Sequence, residues 1–234
     1  MPLTESATEL TTAITDILLG LLALYVVRDL RRHGSSSDRR KTKIWSFAFT
    51  CLAIASFIGA IVHGFEFGET AEFWLWQPIY LLLGLTVMMF FVGVVYDLRN
   101  FSIPAWLSPL AILVALVFYA VTFFGPAPFV AFIAFEGVIL VIAFFGYLIV
   151  TIRGGVRGSA LMLLGVLTSI AAAAIQVTGA VTLTVIWEFD HNGVFHLVQM
   201  LALLFFMYGL RAELRWRIGP GGSVANSAIT PPHR

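Results

Sequence analysis

The side chains in this sequence that could do chemistry are few, and most of them stand in apolar surroundings. Glu5, Glu9, Thr12 and Asp16 follow one another at spacings of four and three, so a single helical face carries them. His63 closes an apolar run, seven residues after Ser56 and on the same face, with the small Gly59 and Ala60 between them. Farther along, Asn192, His196 and Gln199 share a face, with Asp190 and His191 at its mouth. Gln77, Glu136 and Gln176 stand singly in apolar stretches. Two imidazoles and a carboxylate make a nitrogen and oxygen donor set suited to zinc with a position open for water, and water on such a metal becomes a nucleophile near neutral pH. His63, His196, Asp16 and His191 are the candidate ligands, with Glu66 or Asp190 available for proton transfer.

Each of these residues also has a plainer role. Asp190 or Asn192 suits the N-cap of a helix, and His63 suits an interfacial donor to a backbone carbonyl. Gln176, Gln199, Thr168 and Ser169 are of the kind that joins membrane helices by hydrogen bonds. Glu136 has no cationic partner nearby in sequence, and either a hydrogen bond within the bundle or a place in a proton relay would accommodate it. Glu66, Glu69 and Glu72 read as a solvated loop face.

The elements that must position these residues follow from composition. Of 234 residues, 59% are hydrophobic and only 12% charged, with a mean hydropathy of +0.93, against about 25% charged in soluble domains. A bilayer crossing by a helix takes about 20 apolar residues. Apolar stretches run approximately 8–28, 44–63, 76–98, 104–124, 127–151, 158–182 and 191–212, each bounded by charge, Gly or Pro. The expected fold is all-α: one membrane domain over 1–218 with seven transmembrane helices, then a Gly- and Pro-rich tail over 219–234 that reads as disordered. The only cysteine, Cys51, excludes an intramolecular disulfide. No internal repeat suggests a transporter of inverted halves.

Charge sets the expected topology. Arg28, Arg31, Arg32, Arg39, Arg40, Lys41 and Lys43 cluster in the first connection, Arg99 falls in the third, Arg153 and Arg157 in the fifth, and the remaining arginines follow the last stretch. The positive-inside rule puts these segments in the cytoplasm and the N-terminus outside, in the inner, cytoplasmic membrane. The acids that flank the first stretch and the basic cluster that follows it mark a retained anchor rather than a signal peptide. The six tryptophans fall near expected helix ends, as an aromatic belt would, and the connection at 33–43 reads as mobile. In this topology His63 and His196 lie at comparable depth, with Asp16 roughly ten ångströms below the outer end of the first helix at 1.5 Å per residue. The three converge on one outward-facing pocket, with Glu9, Ser56, Gln77, Glu136, Gln176, Asn192 and Gln199 as its other polar members.

Two segments resemble a known group. Phe189-Asp190-His191-Asn192-Gly193-Val194-Phe195-His196-Leu197-Val198-Gln199 and Thr15-Asp16, with Val62-His63-Gly64-Phe65 downstream, are similar to an uncharacterised family of bacterial seven-helix membrane proteins over nearly the whole chain. That resemblance implies no activity. More distantly, a histidine ending the second helix and an Asn-x-x-x-His pattern opening the seventh resemble the superfamily of alkaline ceramidases and progestin/adipoQ receptors. Its members hold zinc with a histidine of the second helix, an aspartate near the third and a His-x-x-x-His pair in the seventh, beside a serine. The resemblance implies that His63 and His196 are ligands. Asn192 stands in place of the first histidine of the pair, and His191 lies one residue, or about 100°, around the helix. Gln77 is the polar residue opening the third helix, and Gly59 replaces the serine.

Two functions of different class are consistent with these residues. One is a non-catalytic protein that binds a lipid or small-molecule ligand, or serves as a subunit of a larger membrane complex or oligomer. The other is a ceramidase-like, metal-dependent hydrolase of a lipid amide or ester. A cytochrome would need His63 and His196 on opposite faces of one haem. A retinal Schiff base would need a lysine in the seventh helix, and the last lysine is Lys43. Membrane lipids are the expected partners and nucleic acid is not, since the basic loop is explained by topology and anionic headgroups.

Overall fold

The computed structural model describes residues 2–34 and 38–218. Seven helices account for nearly all of them: α1 (Ala7–Gly34), α2 (Arg39–Gly64), α3 (Glu69–Leu98), α4 (Leu107–Phe124), α5 (Pro128–Arg153), α6 (Ser159–Thr178) and α7 (His191–Ile218). All seven are long and apolar enough to cross a membrane. Between α6 and α7 the strands β1 (Leu183–Thr184) and β2 (Glu188–Phe189) pair antiparallel and present Val185, Ile186 and Trp187 as an exposed apolar tip. Because the chain reverses at each connection, the bundle has two ends. One end gathers Glu5, Glu9, Glu66, Glu69, Glu72, Glu188 and Asp190, and the other carries every Lys and Arg of the described helices.

Helix limits have local causes. Asp38 caps α2, its carboxylate accepting from the Lys41 backbone N–H at 2.9 Å. Gly154, at φ 68°, takes the left-handed conformation that closes α5 and returns its N–H to the carbonyls of Val150 and Thr151. Gly158, at φ 80°, lies directly against the backbone of Gly209, so no side chain fits at the α6–α7 crossing. At the acidic end, Thr4 N–H donates to Gly64 O and Glu66 N–H to Pro2 O, tying the N-terminal segment to the end of α2.

Packing forms a closed ring in the order α1, α2, α3, α5, α6, α7 and back to α1. Helix α4 stands outside it, against α3 and α5, and buries few residues: Leu107, Ala111, Ala115, Phe118 and Thr122. Midway along the ring Trp45 is fully buried, edge-on to Phe90 at 5.0 Å and stacked on Phe49 at 5.8 Å. Leucine, isoleucine and valine are exposed on the outer faces, among them Leu113, Leu116 and Val117 of α4 and Val138 and Val141 of α5. In water such a surface would be unstable; in hydrocarbon it is matched.

Five helices overrun the expected spans, most of all at the first connection, while α4 starts three residues late and α6 ends at Thr178, four residues short of the expected 182. Residues 39–43, expected in a mobile loop, form the first turn of α2, and α1 continues to Gly34. The charged residues there favour helix as well as any, and apolar length alone measures the hydrocarbon crossing rather than the helix. The same extension moves Trp45 from the expected aromatic belt into the core, whereas Trp74, Trp106 and Trp187 are about 60% exposed. The expected tail over 219–234 lies outside the described residues.

Candidate functional site

The six ring helices enclose a cavity of about 350 Å3 toward the acidic end, within the size range of small-molecule pockets. Helix α1 contributes Asp16, and α2 contributes Ser56, Gly59 and His63. From α3 come Trp76, Ile79, Tyr80, Leu83 and Val87, and from α5 Phe129, Phe132 and Glu136. Gln176 of α6 and His191, Asn192, Phe195, His196 and Gln199 of α7 complete the wall. The α3 and α5 side is largely aromatic and aliphatic apart from Thr86 and Glu136, while the α1, α2 and α7 side carries most of the polar groups together with Leu19, Leu52, Ala55 and Phe195. A shallow depression outside it is lined by Glu9, Glu66 and Glu72 among others, and shares His63 and Trp76 with the cavity.

Asp16 is 5% exposed and His196 8%. His196 Nδ1 lies 3.0 Å from the Thr15 hydroxyl, and that hydroxyl donates its only proton to the Thr12 carbonyl at 2.9 Å. The network therefore assigns the hydrogen to Nδ1, which donates to Thr15, and leaves the Nε2 lone pair facing Asp16 Oδ1 at 3.5 Å. His63 Nδ1 is 2.6 Å from Glu9 Oε2, and its ring stands edge-on to Trp76 at 5.8 Å. Gly59 makes room for Asp16: a Cβ there would lie 2.7 Å from Asp16 Oδ2. A serine at this position, as the distant resemblance has it, would displace the carboxylate.

Of the thirteen candidate ligand, proton-transfer and pocket residues, Asp16, Ser56, His63, Glu136, Gln176, His191, Asn192, His196 and Gln199 line the cavity. Four do not. Glu9 and Glu66 line the outer depression. Gln77 is buried beside its own helix, with Nε2 donating to Phe73 O at 3.2 Å. Asp190 caps α7, accepting from Gly193 N–H at 2.9 Å and from the Thr12 hydroxyl at 3.2 Å. The expected four-ligand zinc set does not assemble. Among the described residues, no group of three or more His, Cys, Asp or Glu side chains is arranged to hold a metal ion. Thr15 engages Nδ1 of His196 and Glu9 engages Nδ1 of His63, which leaves the Nε2 atom of each ring without a hydrogen-bond partner among the described residues.

A second polar centre, at the basic end, was not foreseen. Lys41 is 1% exposed, with Nζ 2.6 Å from Asp97 Oδ1 and paired also with Glu213 Oε2. The Tyr147 hydroxyl donates to Asp97 Oδ2 at 3.2 Å, and Tyr96 donates to Asp38 at 3.0 Å. Nearby, Arg211 and His33 pair with Asp29. In the sequence Lys41 is hidden in a basic run, but its spacing of four and seven from the buried Trp45 and Ala48 puts it on the inward face of α2. Glu213 likewise follows buried Phe206 by seven residues and Leu210 by three. Helical phase was the signal that would have found both.

A family model described as a family of unknown function (DUF6962) matches residues 11–215, and the chain belongs to that family. This agrees with the resemblance to an uncharacterised seven-helix family, and carries nothing of the ceramidase and receptor likeness. No curated protein and no solved structure matches the chain.

Proposed function

We propose that this multi-pass membrane protein binds a small amphipathic ligand in the ring cavity without transforming it, its N-terminus outside and its C-terminus in the cytoplasm of a cell bounded by an inner membrane. The observation that carries the reading is the cavity's division. An apolar side built from Tyr80, Leu83, Val87 and Phe132 faces a polar side built from Asp16, His63, His196 and Gln199, the arrangement that fixes the orientation of a ligand with one polar end. The orientation in the membrane rests on the confinement of Lys and Arg to one end.

The hydrolase alternative, acting on a lipid amide or ester, draws support only from His63 and His196 lining one cavity. It would require a metal to activate water, and no group of three or more His, Cys, Asp or Glu side chains among the described residues is arranged to hold one. Thr15, the hydroxyl nearest His196, is buried, accepts a hydrogen bond from His196 Nδ1 and is not part of the cavity wall.

Native mass spectrometry of protein extracted in a neutral detergent tests the reading, with Leu83→Trp as the variant that fills the apolar side. Wild-type chain should retain a small molecule or lipid that the folded, monodisperse variant loses. Equal retention by both would contradict binding in the cavity. An equivalent of zinc in chelator-free protein, lost together in His63→Ala and His196→Ala, would favour the hydrolase.

A further inference from the structure

We propose that the ligand is a primary amine in its protonated form, an ammonium group on an apolar body, held between Asp16 and His196; this rests on the cavity being a binding site as argued above. Two independent features of the site lead there.

The first is a shortage of hydrogen-bond donors. His196 Nε2, left as an acceptor by the Thr15 network, faces Asp16 Oδ1 at 3.5 Å, so an ionised Asp16 meets it acceptor to acceptor. Gln176 Oε1 and Gln199 Oε1, both on cavity-lining residues, are buried without a donor. Glu136 projects from α5 into the same space and makes no hydrogen bond or ion pair with any described residue. Buried acceptors are satisfied in nearly all proteins, and here the missing partners are all of one kind. An ammonium carries three N–H donors and no acceptor.

The second is charge. Among the described residues no Lys or Arg lines the cavity or the outer depression, while Asp16 and Glu136 line the first and Glu9, Glu66 and Glu72 the second. A depression lined by acids of a single sign concentrates cations at its surface. Trp76, shared by both spaces, and Tyr80 and Phe132 within add aromatic faces that attract a cation. His63, where protonated, is engaged by Glu9 at 2.6 Å, and water would supply donors but no positive charge to Asp16 and Glu136. An alkyl ammonium supplies both, and its apolar body suits Tyr80, Leu83, Val87 and Phe132.

Four eight-carbon probes separate these features: octylammonium, octyltrimethylammonium, 1-octanol and octanoate. Each is titrated against the full chain in nanodiscs of neutral lipid, and affinity is read from the concentration dependence of the thermal unfolding midpoint. Octylammonium should bind roughly tenfold or more tightly than the other three, as charge-assisted hydrogen bonds exceed neutral ones. Asp16→Asn and Glu136→Gln should each erase much of that preference. Glu136 has no partner to lose among the described residues, so its variant tests the point even if Asp16→Asn folds poorly. Octanol or octanoate binding as well as octylammonium would overturn the amine while leaving cavity binding intact. Octyltrimethylammonium matching octylammonium would overturn the role of N–H donors. Binding of none of the four would defeat both this inference and the reading beneath it.

Discussion

Lys41 shows how much a single residue can change in meaning between a sequence and a fold. In a run of four basic residues out of five it reads as a surface charge, yet it is buried between two carboxylates from α3 and α7. Removing one member of such a group leaves the others charged and unpaired in a low-dielectric interior, at about 3–5 kcal/mol. Lys41→Met should therefore lower stability by that order, measured by reversible unfolding in mixed micelles. Tyr147→Phe deletes only the hydrogen bond to Asp97 and should cost about 1 kcal/mol. Equal, small effects from both would mean that the cluster is open to water. At the cavity, most polar residues were legible because any ionisable or amide side chain in an apolar stretch is conspicuous. Thr15 was not, since a hydroxyl on a helix usually bonds its own backbone; only the position of His196 reveals its second partner.

At the scale of elements, the number of helices was legible from apolar length, and their ends were not. Hydropathy reports where hydrocarbon begins, whereas helix ends depend on caps such as Asp38 and Gly154 and on charged turns that stay helical beyond the apolar stretch. Helix α7 is a case where the cap does two things. Asp190 accepts from Gly193 and also holds Thr12, so it fixes the start of α7 against α1 and sets the height at which His196 meets Asp16. Asp190→Ala should cost about 1 kcal/mol, the ordinary value of an N-cap. Amide hydrogen exchange should quicken at 191–194 while the middle of α7 stays protected. Uniform exchange along α7 in the variant would mean that the helix start is held by something else.

For the whole molecule, the ring closure was not legible at all: nothing in hydropathy says that α4 stands outside or that α7 returns to α1. Only the argument from opposed chain directions brought His63 and His196 to a comparable height. The ring leaves an acidic end above the cavity and a basic end with its own charge cluster. The proposed orientation is tested on a Cys51→Ser background with Ser6→Cys or Ser102→Cys, both at exposed positions on opposite ends. An impermeant maleimide should label Ser6→Cys in sealed right-side-out vesicles, and Ser102→Cys only after permeabilisation. The reverse pattern would invert the topology.

A density map of the full chain in a lipid nanodisc, at a resolution that separates side chains from ligand, reads the cavity directly. An elongated non-protein feature should fill it, with its polar end between Asp16 and His196 and its apolar body along Leu83 and Phe132. A cavity closed by repacked side chains, or occupied by ordered water alone, would contradict a ligand-binding site in this bundle.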